Sequence, residues 1–284
     1  MPPKVSVVIL NWNGKEYLAN CLASLAKASY ATFEVIVVDN NSSDGSVEFV
    51  RKNFPRVKVI ASNINLGFAS GNNLGFRKAT GKYVVFLNND TVVTEDFLAP
   101  LVSDLEKDEF LGCVEPQLRM LSEPRLIDQV GSFLTSTGYL YHYGFHKPFN
   151  KAIYQNRREI FSAKGACMML PRKVLQKVGV FDDDFFIFFE ETDLCYRLWL
   201  AGYSVLYEPK SIIYHRTGGD TSDTYAYERR VYLSTKNMLC CYLKNFGLLN
   251  LLTIFPILIL MQGLVAINFL VRGKPSLTSA VIRG

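Results

Sequence analysis

Three common signatures of nucleotide and metal sites are missing from this chain of 284 residues. No G-x-G-x-x-G follows the first predicted strand, which counts against a dinucleotide cofactor. No G-x-x-x-x-G-K-[ST] occurs, which counts against a P-loop nucleoside triphosphatase. The six cysteines form no C-x-x-C pair, and most of them lie in apolar runs. Buried reduced thiols in a cytosolic compartment therefore explain the cysteines better than disulfides or zinc.

Charge is also sparse, at 20% of residues with a net charge of +5. The basic residues form no stripe interleaved with aromatics, so we expect no nucleic-acid partner. A modest positive charge is compatible with an anionic substrate or an anionic membrane surface. A chain of this length is long enough for one large α/β domain or two small ones, and the 49% of hydrophobic residues predicts a globular protein. Residues 2–4 lead straight into a strand, so no signal peptide is expected.

Apolar runs alternate with helical patterns through the first 90 residues. The predicted strands span residues 5–10, 33–38, 57–61 and 83–87, and the predicted helices span about 16–27, 44–53 and 69–80. This alternation predicts an α/β fold with a right-handed, doubly wound, mainly parallel sheet. Each strand ends in a loop rich in Asn and Asp. Because open α/β sheets bind ligands at the carboxyl ends of their strands, these loops predict a polar rim suited to a nucleotide.

The fourth strand stops at Asn88-Asn89-Asp90, where it should emerge from the core. A carboxylate at this edge is suited to holding a divalent metal against a diphosphate. A simple turn is the alternative, since Asn and Asp are common turn formers and also cap helices without binding anything. Four such loops in succession favour the binding interpretation.

The second half of the chain is less regular. A helix is predicted at 95–107, and strands are predicted at 111–118, 162–170, 203–207 and 211–214. Residues 120–160 read as a long excursion from the core, typical of a lid or an acceptor-facing surface. Within this excursion, His142 and His146 have no third ligand nearby, so we expect them to face solvent rather than to bind zinc.

Five phenylalanines between residues 181 and 189 lead directly into the acids Glu190, Glu191 and Asp193. A carboxylate behind an aromatic wall can have a raised pKa, which suits a general base. An acid at a helix N-terminus can also serve only as a cap. A cap explains Asp193 well, because a helix is predicted over 194–201, but it explains Glu191 less well.

The order of these motifs resembles one enzyme family over about residues 4–240. The matching segments are VSVVILNWNG at 5–14, VIVVDNNSSDGS at 35–46, NLGFASGNNLG at 65–75, YVVFLNND at 83–90, GACMMLPRKVLQKVGVFDDDFF at 165–186, EETDLCYRLWLAGY at 190–203, and His215. The series resembles the inverting glycosyltransferases of family 2, which have the GT-A fold. The first two segments look most like the rhamnosyltransferase-like branch. The Q-x-x-R-W motif of processive members is absent, which favours the addition of one sugar per encounter.

The resemblance implies a site for the donor nucleotide. Asp39 would accept a hydrogen bond from the nucleobase, with Asn11 beside it, and Asn73 would contact the nucleotide. Asn88, Asn89 and Asp90 are also assigned to the donor.

The resemblance further implies a divalent metal, Mn²⁺ or Mg²⁺, at the diphosphate. Asn88 and Asp90 occupy the two acidic positions of the family's D-x-D motif. Asn88 stands where the motif has its first acid. This departure would change how tightly the metal binds rather than whether the reaction uses a metal. Asp90 would be one metal ligand and His215 the second, with diphosphate oxygens completing the shell.

Glu191 occupies the family's position for the catalytic base, where Glu stands in place of Asp. The longer side chain supports the same proton transfer with a different reach, and Glu190 is the competing candidate. On the acceptor side the resemblance implies Gly165, Ala166 and Asp193, with Asp193 either capping its helix or orienting the acceptor. The base would take a proton from an acceptor hydroxyl, which attacks the anomeric carbon from the face opposite the nucleotide.

The segment from Phe246 to Val271 contains no charged residue. At about 1.5 Å per residue it is long enough to cross a hydrocarbon core of about 30 Å. Pro256 and Gly263 interrupt it, so an interfacial or re-entrant pair of half-helices is an alternative, and a buried helix is a third. We expect a GT-A catalytic domain over 1–240 and a hydrophobic, membrane-associated helical tail over 241–284, at the cytoplasmic face of the cell membrane.

The predicted function is transfer of one sugar from a nucleotide-diphosphate sugar, dTDP-rhamnose or a UDP-sugar, to a hydroxyl of a lipid-linked or cell-surface saccharide. A polyprenyl-linked acceptor would explain the apolar tail. A nucleotidyltransferase shares the α/β outline, but its usual Gly-rich, basic first loop is missing. A non-catalytic sugar-nucleotide-binding protein is the other alternative.

Overall fold

A computed structural model describes residues 4–216 and 226–284 of the protein. The strands are Val5–Asn11 (β1), Phe33–Asp39 (β2), Lys58–Ala61 (β3), Tyr83–Asn88 (β4), Thr91–Val93 (β5), Leu111–Met120 (β6), Ile127–Gln129 (β7), Ser132–Leu134 (β8), Leu140–His142 (β9), Arg158–Glu159 (β10), Cys167–Pro171 (β11) and Ser204–His215 (β12). The α-helices are Lys15–Leu25 (α1), Ser46–Asn53 (α2), Gly67–Lys78 (α3), Leu98–Lys107 (α4), Arg172–Val178 (α5), Glu190–Leu200 (α6), Tyr227–Asn245 (α7), Leu248–Thr253 (α8), Phe255–Val271 (α9) and Pro275–Arg283 (α10).

Ten of the described strands form one mixed sheet in the order β10-β12-β6-β11-β4-β1-β2-β3, with β5 paired to β12 and β7 paired to β6, and β8 and β9 form a separate two-stranded sheet. Strand β1 pairs in parallel with both β2 and β4, as the alternation of strands and helices predicts. Its Val and Ile side chains are fully buried, because helices cover both faces of the sheet. The prediction of a doubly wound, mainly parallel α/β sheet is confirmed.

The register of the parallel strands aligns their polar ends. Asn11 at the end of β1 lies opposite Asp39 at the end of β2, and Leu10 lies opposite Asn88 at the end of β4. On the other half of the sheet, His215 at the end of β12 lies opposite Thr91 of β5. The loop that carries Asp90 therefore meets the last residue of β12 at one edge of the sheet.

Several predicted boundaries are wrong. The two strands predicted at 203–207 and 211–214 are one strand, β12, with a bulge between Glu208 and Ile212 that contains Pro209. A bulge accommodates proline because it needs no ladder hydrogen bond there. The excursion over 120–160 is partly regular, since β7 to β10 all lie within it. Helix α4 begins at Leu98 rather than at 95, and β11 begins at Cys167 rather than at 162.

The C-terminal region forms four helices, α7 to α10, and α7 runs through the expected domain boundary at residue 240. The segment Leu248–Val271, which contains α8 and α9, is long and apolar enough to cross a membrane, with a mean hydropathy of 2.3. Only 11% of the most apolar 18-residue stretch of this segment is buried. Gly273, with φ of +68°, allows the turn that returns α10 against α9 and α7.

Candidate active site

A cleft of about 670 Å³ opens at the carboxyl ends of β1, β2 and β4. Eight of the predicted site residues line it: Asn88, Asn89, Asp90, Gly165, Ala166, Glu190, Glu191 and His215. The cleft wall also includes Trp12, Asn40 and Asn65 from the loops after β1, β2 and β3. We did not predict these three as site residues, although they belong to the same Asn-rich loops.

Asp90 and His215 face each other in this cleft. The Nε2 atom of His215 lies 3.4 Å from Oδ1 of Asp90, and both side chains are nearly buried. The other ring nitrogen, Nδ1, lies 2.7 Å from Oδ2 of the fully buried Asp128. Asp128 lies in β7, inside the region read as irregular, and nothing local in the sequence indicates that it reaches His215.

The charges around His215 determine its protonation. Burial by itself lowers the pKa of the imidazole, but the carboxylate of Asp90 and the hydrogen bond to Asp128 outweigh burial and raise the pKa to about 9. Asp128 is likewise buried, which raises its pKa, but His215 and the Lys164 ammonium, 2.7 Å away, hold the pKa of that carboxyl well below its usual range. Without a bound metal, the imidazole is therefore protonated at neutral pH.

The pair Asp90 and His215 fits a divalent cation. Oδ1 of Asp90 is buried, and apart from the ion pair with His215 at 3.4 Å it accepts no hydrogen bond from the part of the chain that the structure describes. A buried carboxylate oxygen without a hydrogen bond is costly, and a cation would offset that cost. A carboxylate on the far nitrogen of the imidazole is the usual companion of a metal-binding histidine. The described residues contain no group of three His, Cys, Asp or Glu side chains for a metal, so other ligands would have to come from the donor.

Asn11 connects two of the strand-end loops behind the cleft. Its Nδ2 atom donates to Oδ1 of Asp39 at 3.2 Å, and its Oδ1 atom accepts from Nδ2 of Asn89 at 2.9 Å. Oδ2 of Asp39 accepts from the backbone N–H of Ser42 at 2.9 Å. Asn11 and Asp39 are therefore engaged with each other and with their loops, and they support the cleft wall rather than line it.

Asn40 positions the loop before α3. Its Oδ1 atom accepts from the backbone N–H of Leu66 at 2.7 Å, and its Nδ2 atom donates to Oδ1 of Asn65 at 2.8 Å. This holds Asn65 and Gly67 at the cleft edge, where Gly67 has a φ of +74° and lies so close to Phe186 that a Cβ would not fit.

Asn73 and Asp193 do not belong to the cleft lining. The Asn73 amide donates to the carbonyl of Phe181 at 2.8 Å and accepts from the backbone N–H of the same residue at 3.2 Å, so it fixes the start of the aromatic loop. Asp193 is fully buried and binds Arg197 of its own helix and Lys244 and Asn245 of α7. Its side chain joins two helices.

The prediction that Asp193 caps a helix at 194 is wrong, because α6 begins at Glu190. Phe189 precedes it with a φ of +69°, an uncommon conformation for a bulky residue, and this turns the chain into a helix one turn early. Glu190 and Glu191 consequently lie in the first turn of α6. The positive end of the helix dipole favours carboxylates there.

The two glutamates have different surroundings. Glu190 is 4% exposed, and its Oε2 atom is buried with no hydrogen-bond partner among the described residues. Burial and the adjacent charge of Glu191 raise the pKa of Glu190 well above its usual range. Glu191 is partly exposed to the cleft. Burial raises its pKa too, but the Lys164 ammonium acts in the opposite direction. Glu190 is thus the neutral member of the pair and Glu191 the accessible one.

The loop before α6 is strained and firmly held. Phe186, Phe188 and Phe189 all have φ between +60° and +74°, which costs free energy for bulky side chains. The Nδ2 atom of Asn237, on α7, lies 2.8 Å from the carbonyl oxygens of Phe185, Ile187 and Phe188. Ile187, Phe188 and Phe189 line the cleft, so α7 fixes the wall next to the acid pair.

The excursion over 120–160 reaches the cleft at Tyr139, Leu140 and His142. His142 and His146 are both exposed, as expected, and Nδ1 of His142 lies 2.9 Å from Oγ of Ser132. The excursion therefore contributes to the outer wall, on the side of the cleft away from β1 and β2.

Comparison with known proteins adds an independent line of evidence. The sequence model described as glycosyl transferase family 2 matches residues 6–179 of this chain. A poly-beta-1,6-N-acetyl-D-glucosamine synthase of Staphylococcus epidermidis is 24% identical over 73% of the chain, which corresponds to 48% of the synthase. The chain thus spans about half of that relative. An N-acetylglucosaminyl-diphospho-decaprenol L-rhamnosyltransferase of Mycobacterium tuberculosis is 24% identical over 78% of each chain.

A solved structure shares the fold. The mannosyltransferase PcManGT of Pyrobaculum calidifontis, solved with GDP-Man and Mn²⁺, has a TM-score of 0.62 and 16% sequence identity, covering 100% of this chain and 86% of that one. At this identity the likeness concerns the fold alone, and it confirms the GT-A prediction.

Proposed function

This chain belongs to glycosyl transferase family 2, and from that premise we propose that it transfers one sugar from a nucleoside diphosphate sugar to a hydroxyl group of a saccharide acceptor. The observation that carries the proposal is a single cleft that contains both the Asp90–His215 pair and the Glu190–Glu191 pair. The first pair suits a diphosphate with its cation, and the second suits proton removal from an attacking hydroxyl.

The donor nucleotide would occupy the rim at the ends of β1, β2 and β4. Asn88 offers an amide for a ribose hydroxyl, and we assign Trp12 and Asn40, which also line the cleft, to the part of the rim that would take the base. Asn11 and Asp39 hold the loops at this edge through their shared hydrogen bonds. Switch-point crevices of α/β sheets bind nucleotides in this position. We propose dTDP-rhamnose or a UDP-sugar as the donor.

We assign Asp90 and His215 as the protein ligands of a divalent cation, Mn²⁺ or Mg²⁺. When bound, the cation would act as a Lewis acid that stabilises charge on the leaving diphosphate. The structural relative solved with GDP-Man and Mn²⁺ supports a metal of this kind. Asp128 holds the imidazole so that Nε2 points toward Asp90.

Glu191 is the proposed base. It is the glutamate exposed to the cleft, whereas Glu190 is buried and neutral. Glu191 accepts the proton of the acceptor hydroxyl while that oxygen bonds to the anomeric carbon and the bond from carbon to diphosphate oxygen breaks. One displacement inverts the configuration, and no covalent sugar–enzyme intermediate is required. Gly165 and Ala166 leave room beside Glu191 for the acceptor.

We propose a polyprenyl-linked saccharide as the acceptor and the cytoplasmic face of the cell membrane as the location. The rhamnosyltransferase relative is named for a decaprenol-linked substrate. The exposed apolar segment Leu248–Val271 is compatible with attachment to a bilayer. The cleft reaches this region through Met238 and Gln262.

A binding screen followed by a transfer assay tests the function. UDP, dTDP and GDP are added with and without Mn²⁺, and the melting temperature of the full chain is recorded. We expect one nucleotide to raise it, and to do so more strongly with Mn²⁺. The matching nucleotide sugars are then tested for transfer with Glu191→Gln and, as a matched control, the exposed Glu159→Gln. If none of the nucleotides binds under either condition, the proposed function is wrong.

A further inference from the structure

The uncharged C-terminal segment has two opposite sides. Leu258, Gln262 and Ala266 of α9 occur at intervals of four residues, which places them on one side of the helix. Leu258 is fully buried in a cluster with Met238, Tyr242 and Phe246. The amide of Gln262 donates to the hydroxyl of Tyr139 at 3.1 Å, beside the cleft. This side of α9 is therefore docked on the catalytic domain.

Helix α7 meets α9 at one end, and α10 packs between the two helices at the other end. Leu258 of α9 meets the end of α7 near Tyr242. At the other end, Thr278 of α10 donates to the carbonyl of Ala266, and Ser276 donates to Glu228 at the start of α7. Leu277, Ala280 and Val281 of α10 are buried in this packing. The docked side of α9 is thus covered from end to end.

The opposite side of α9 is apolar and uncovered. Leu260, Leu264, Ile267 and Val271 are between 51% and 81% exposed, and they follow one another at helical intervals of four, three and four residues. Leu249 and Leu252 of α8 are exposed by 67% or more. A continuous exposed apolar surface of this kind marks an interaction site.

A membrane-spanning orientation conflicts with this packing. Helix α10 packs along α9 and joins it to the start of α7, which carries Glu228, Arg229 and Arg230, so an α9 that crossed the bilayer would bring these charges close to the hydrocarbon core. Charged residues at the centre of a bilayer are strongly disfavoured. An orientation in the plane of the surface keeps α7 in water and buries only the exposed side of α8 and α9.

We propose that α8 and α9 lie flat in the surface of a bilayer, with the exposed Leu and Ile side chains among the outer parts of the acyl chains. Arg272 and Lys274 follow α9 directly, and Arg283 ends α10, so the edge of this surface is basic and suits anionic headgroups.

The proposal deepens the proposed function and rests on it only for the role of the cleft. Because Tyr139, Met238 and Gln262 belong to both the cleft wall and the docked face, the cleft lies directly behind α9, one helix away from the proposed membrane surface. An acceptor held in the bilayer could then present its hydroxyl to Glu191 without leaving the lipid.

Vesicle binding tests the surface. The full chain is mixed with phosphatidylcholine vesicles, with and without phosphatidylglycerol, and bound protein is measured by flotation. We expect binding that is strengthened by phosphatidylglycerol and weakened about tenfold or more by Leu260→Glu. Leu200→Glu is the matched control, because Leu200 at the end of α6 has the same 64% exposure as Leu260 but lies outside the surface. Equal binding by Leu260→Glu and Leu200→Glu would overturn the proposal.

Depth measurements separate the flat orientation from a spanning one. Leu249→Trp, Leu260→Trp and Val271→Trp are each quenched with lipids brominated at different depths, after subtraction of the signal of native Trp12 and Trp199. A flat segment places all three at a similar depth of about 5–10 Å. A spanning segment places position 260 near the bilayer centre and the other two near the headgroups, which would refute the inference.

Nucleotide binding distinguishes failure of this inference from failure of the proposed function. Each variant is tested for stabilisation by UDP, dTDP or GDP with Mn²⁺. An unsubstituted chain that binds nucleotide but no vesicles refutes the membrane surface and leaves the proposed function standing. A chain that lies flat on vesicles but binds none of the nucleotides supports the membrane surface and refutes the function.

Discussion

The imidazole of His215 lies 2.7 Å, from Nδ1 to Oδ2, from the buried carboxylate of Asp128. This contact fixes the ring so that its other nitrogen faces Asp90, 3.4 Å away. The N–H at Nδ1 therefore donates to Asp128, and Nε2 is the nitrogen that would bind a metal. The Lys164 ammonium forms an ion pair with the same Oδ2 atom at 2.7 Å, and this pair helps to keep the carboxylate of Asp128 charged despite its burial.

Asp128→Ala should weaken Mn²⁺ binding about 10- to 100-fold, although Asp128 itself is no proposed ligand. The reason is that His215 loses the partner that orients its ring. Titration calorimetry with Mn²⁺ and UDP measures the effect, and the exposed Asp96→Ala serves as the control for loss of one negative charge. Unchanged Mn²⁺ affinity in Asp128→Ala would show that the ring is oriented by other contacts.

Metal binding should depend strongly on pH. Because the pKa of His215 is raised to about 9, a cation must displace a proton from it at neutral pH. The affinity for Mn²⁺ should therefore rise with pH, by about tenfold per unit below pH 9. Calorimetry in buffers with different heats of ionisation measures the released proton directly. Metal binding with no proton release at pH 7 would contradict this prediction.

The metal-free protein should show the opposite trend in stability. A histidine with a folded-state pKa near 9 and an ordinary value of 6.5 stabilises the fold fully below pH 6.5, and this contribution is lost as the pH rises through 9. The free energy of unfolding of the chelated protein should fall over this range. His215→Gln should remove that part of the dependence, and urea denaturation at several pH values measures it. An equally steep fall in His215→Gln would assign the dependence to other groups.

Much of the catalytic fold could be predicted from local sequence patterns. The strands up to residue 88 are apolar runs bounded by Asn, Asp and Gly, and parallel pairing follows from their alternation with helices. The register aligns the ends of β1, β2 and β4. For this reason the position of residues 88–90 at the edge of a cleft could also be predicted.

Other features depend on tertiary contacts that leave no local pattern. Asp128 reaches His215 because the three-residue strand β7 pairs with β6, and so short a strand has no detectable periodicity. The early start of α6 depends on Phe189 adopting a positive φ, which residue preferences disfavour. The three-carbonyl contact of Asn237 spans about fifty positions of the chain and is likewise invisible in the sequence.

The two glutamates should respond differently to an isosteric amide. Glu191→Gln removes the proposed base and should lower kcat about 10²- to 10⁴-fold with little change in donor KM. Glu190→Gln should cost less than about tenfold, because a buried neutral carboxyl already resembles an amide in charge and shape. Steady-state kinetics with the nucleotide sugar selected by the binding screen measures both. The reverse order of effects would transfer the role of base to Glu190.

Asn237 should control the order of the aromatic loop. Its amide lies within hydrogen-bond distance of three backbone carbonyls, and Asn237→Ala would leave these groups without that donor. At about 1 kcal/mol per hydrogen bond, the variant should lose about 2–3 kcal/mol of unfolding free energy.

Because Phe186, Phe188 and Phe189 hold strained backbone angles, the loop should relax once the amide is gone. Hydrogen exchange at residues 185–189 should then be faster than in the exposed control Asn150→Ala. A destabilised variant with normal exchange in this loop would mean that the strain is maintained by the packing of the rings and not by α7.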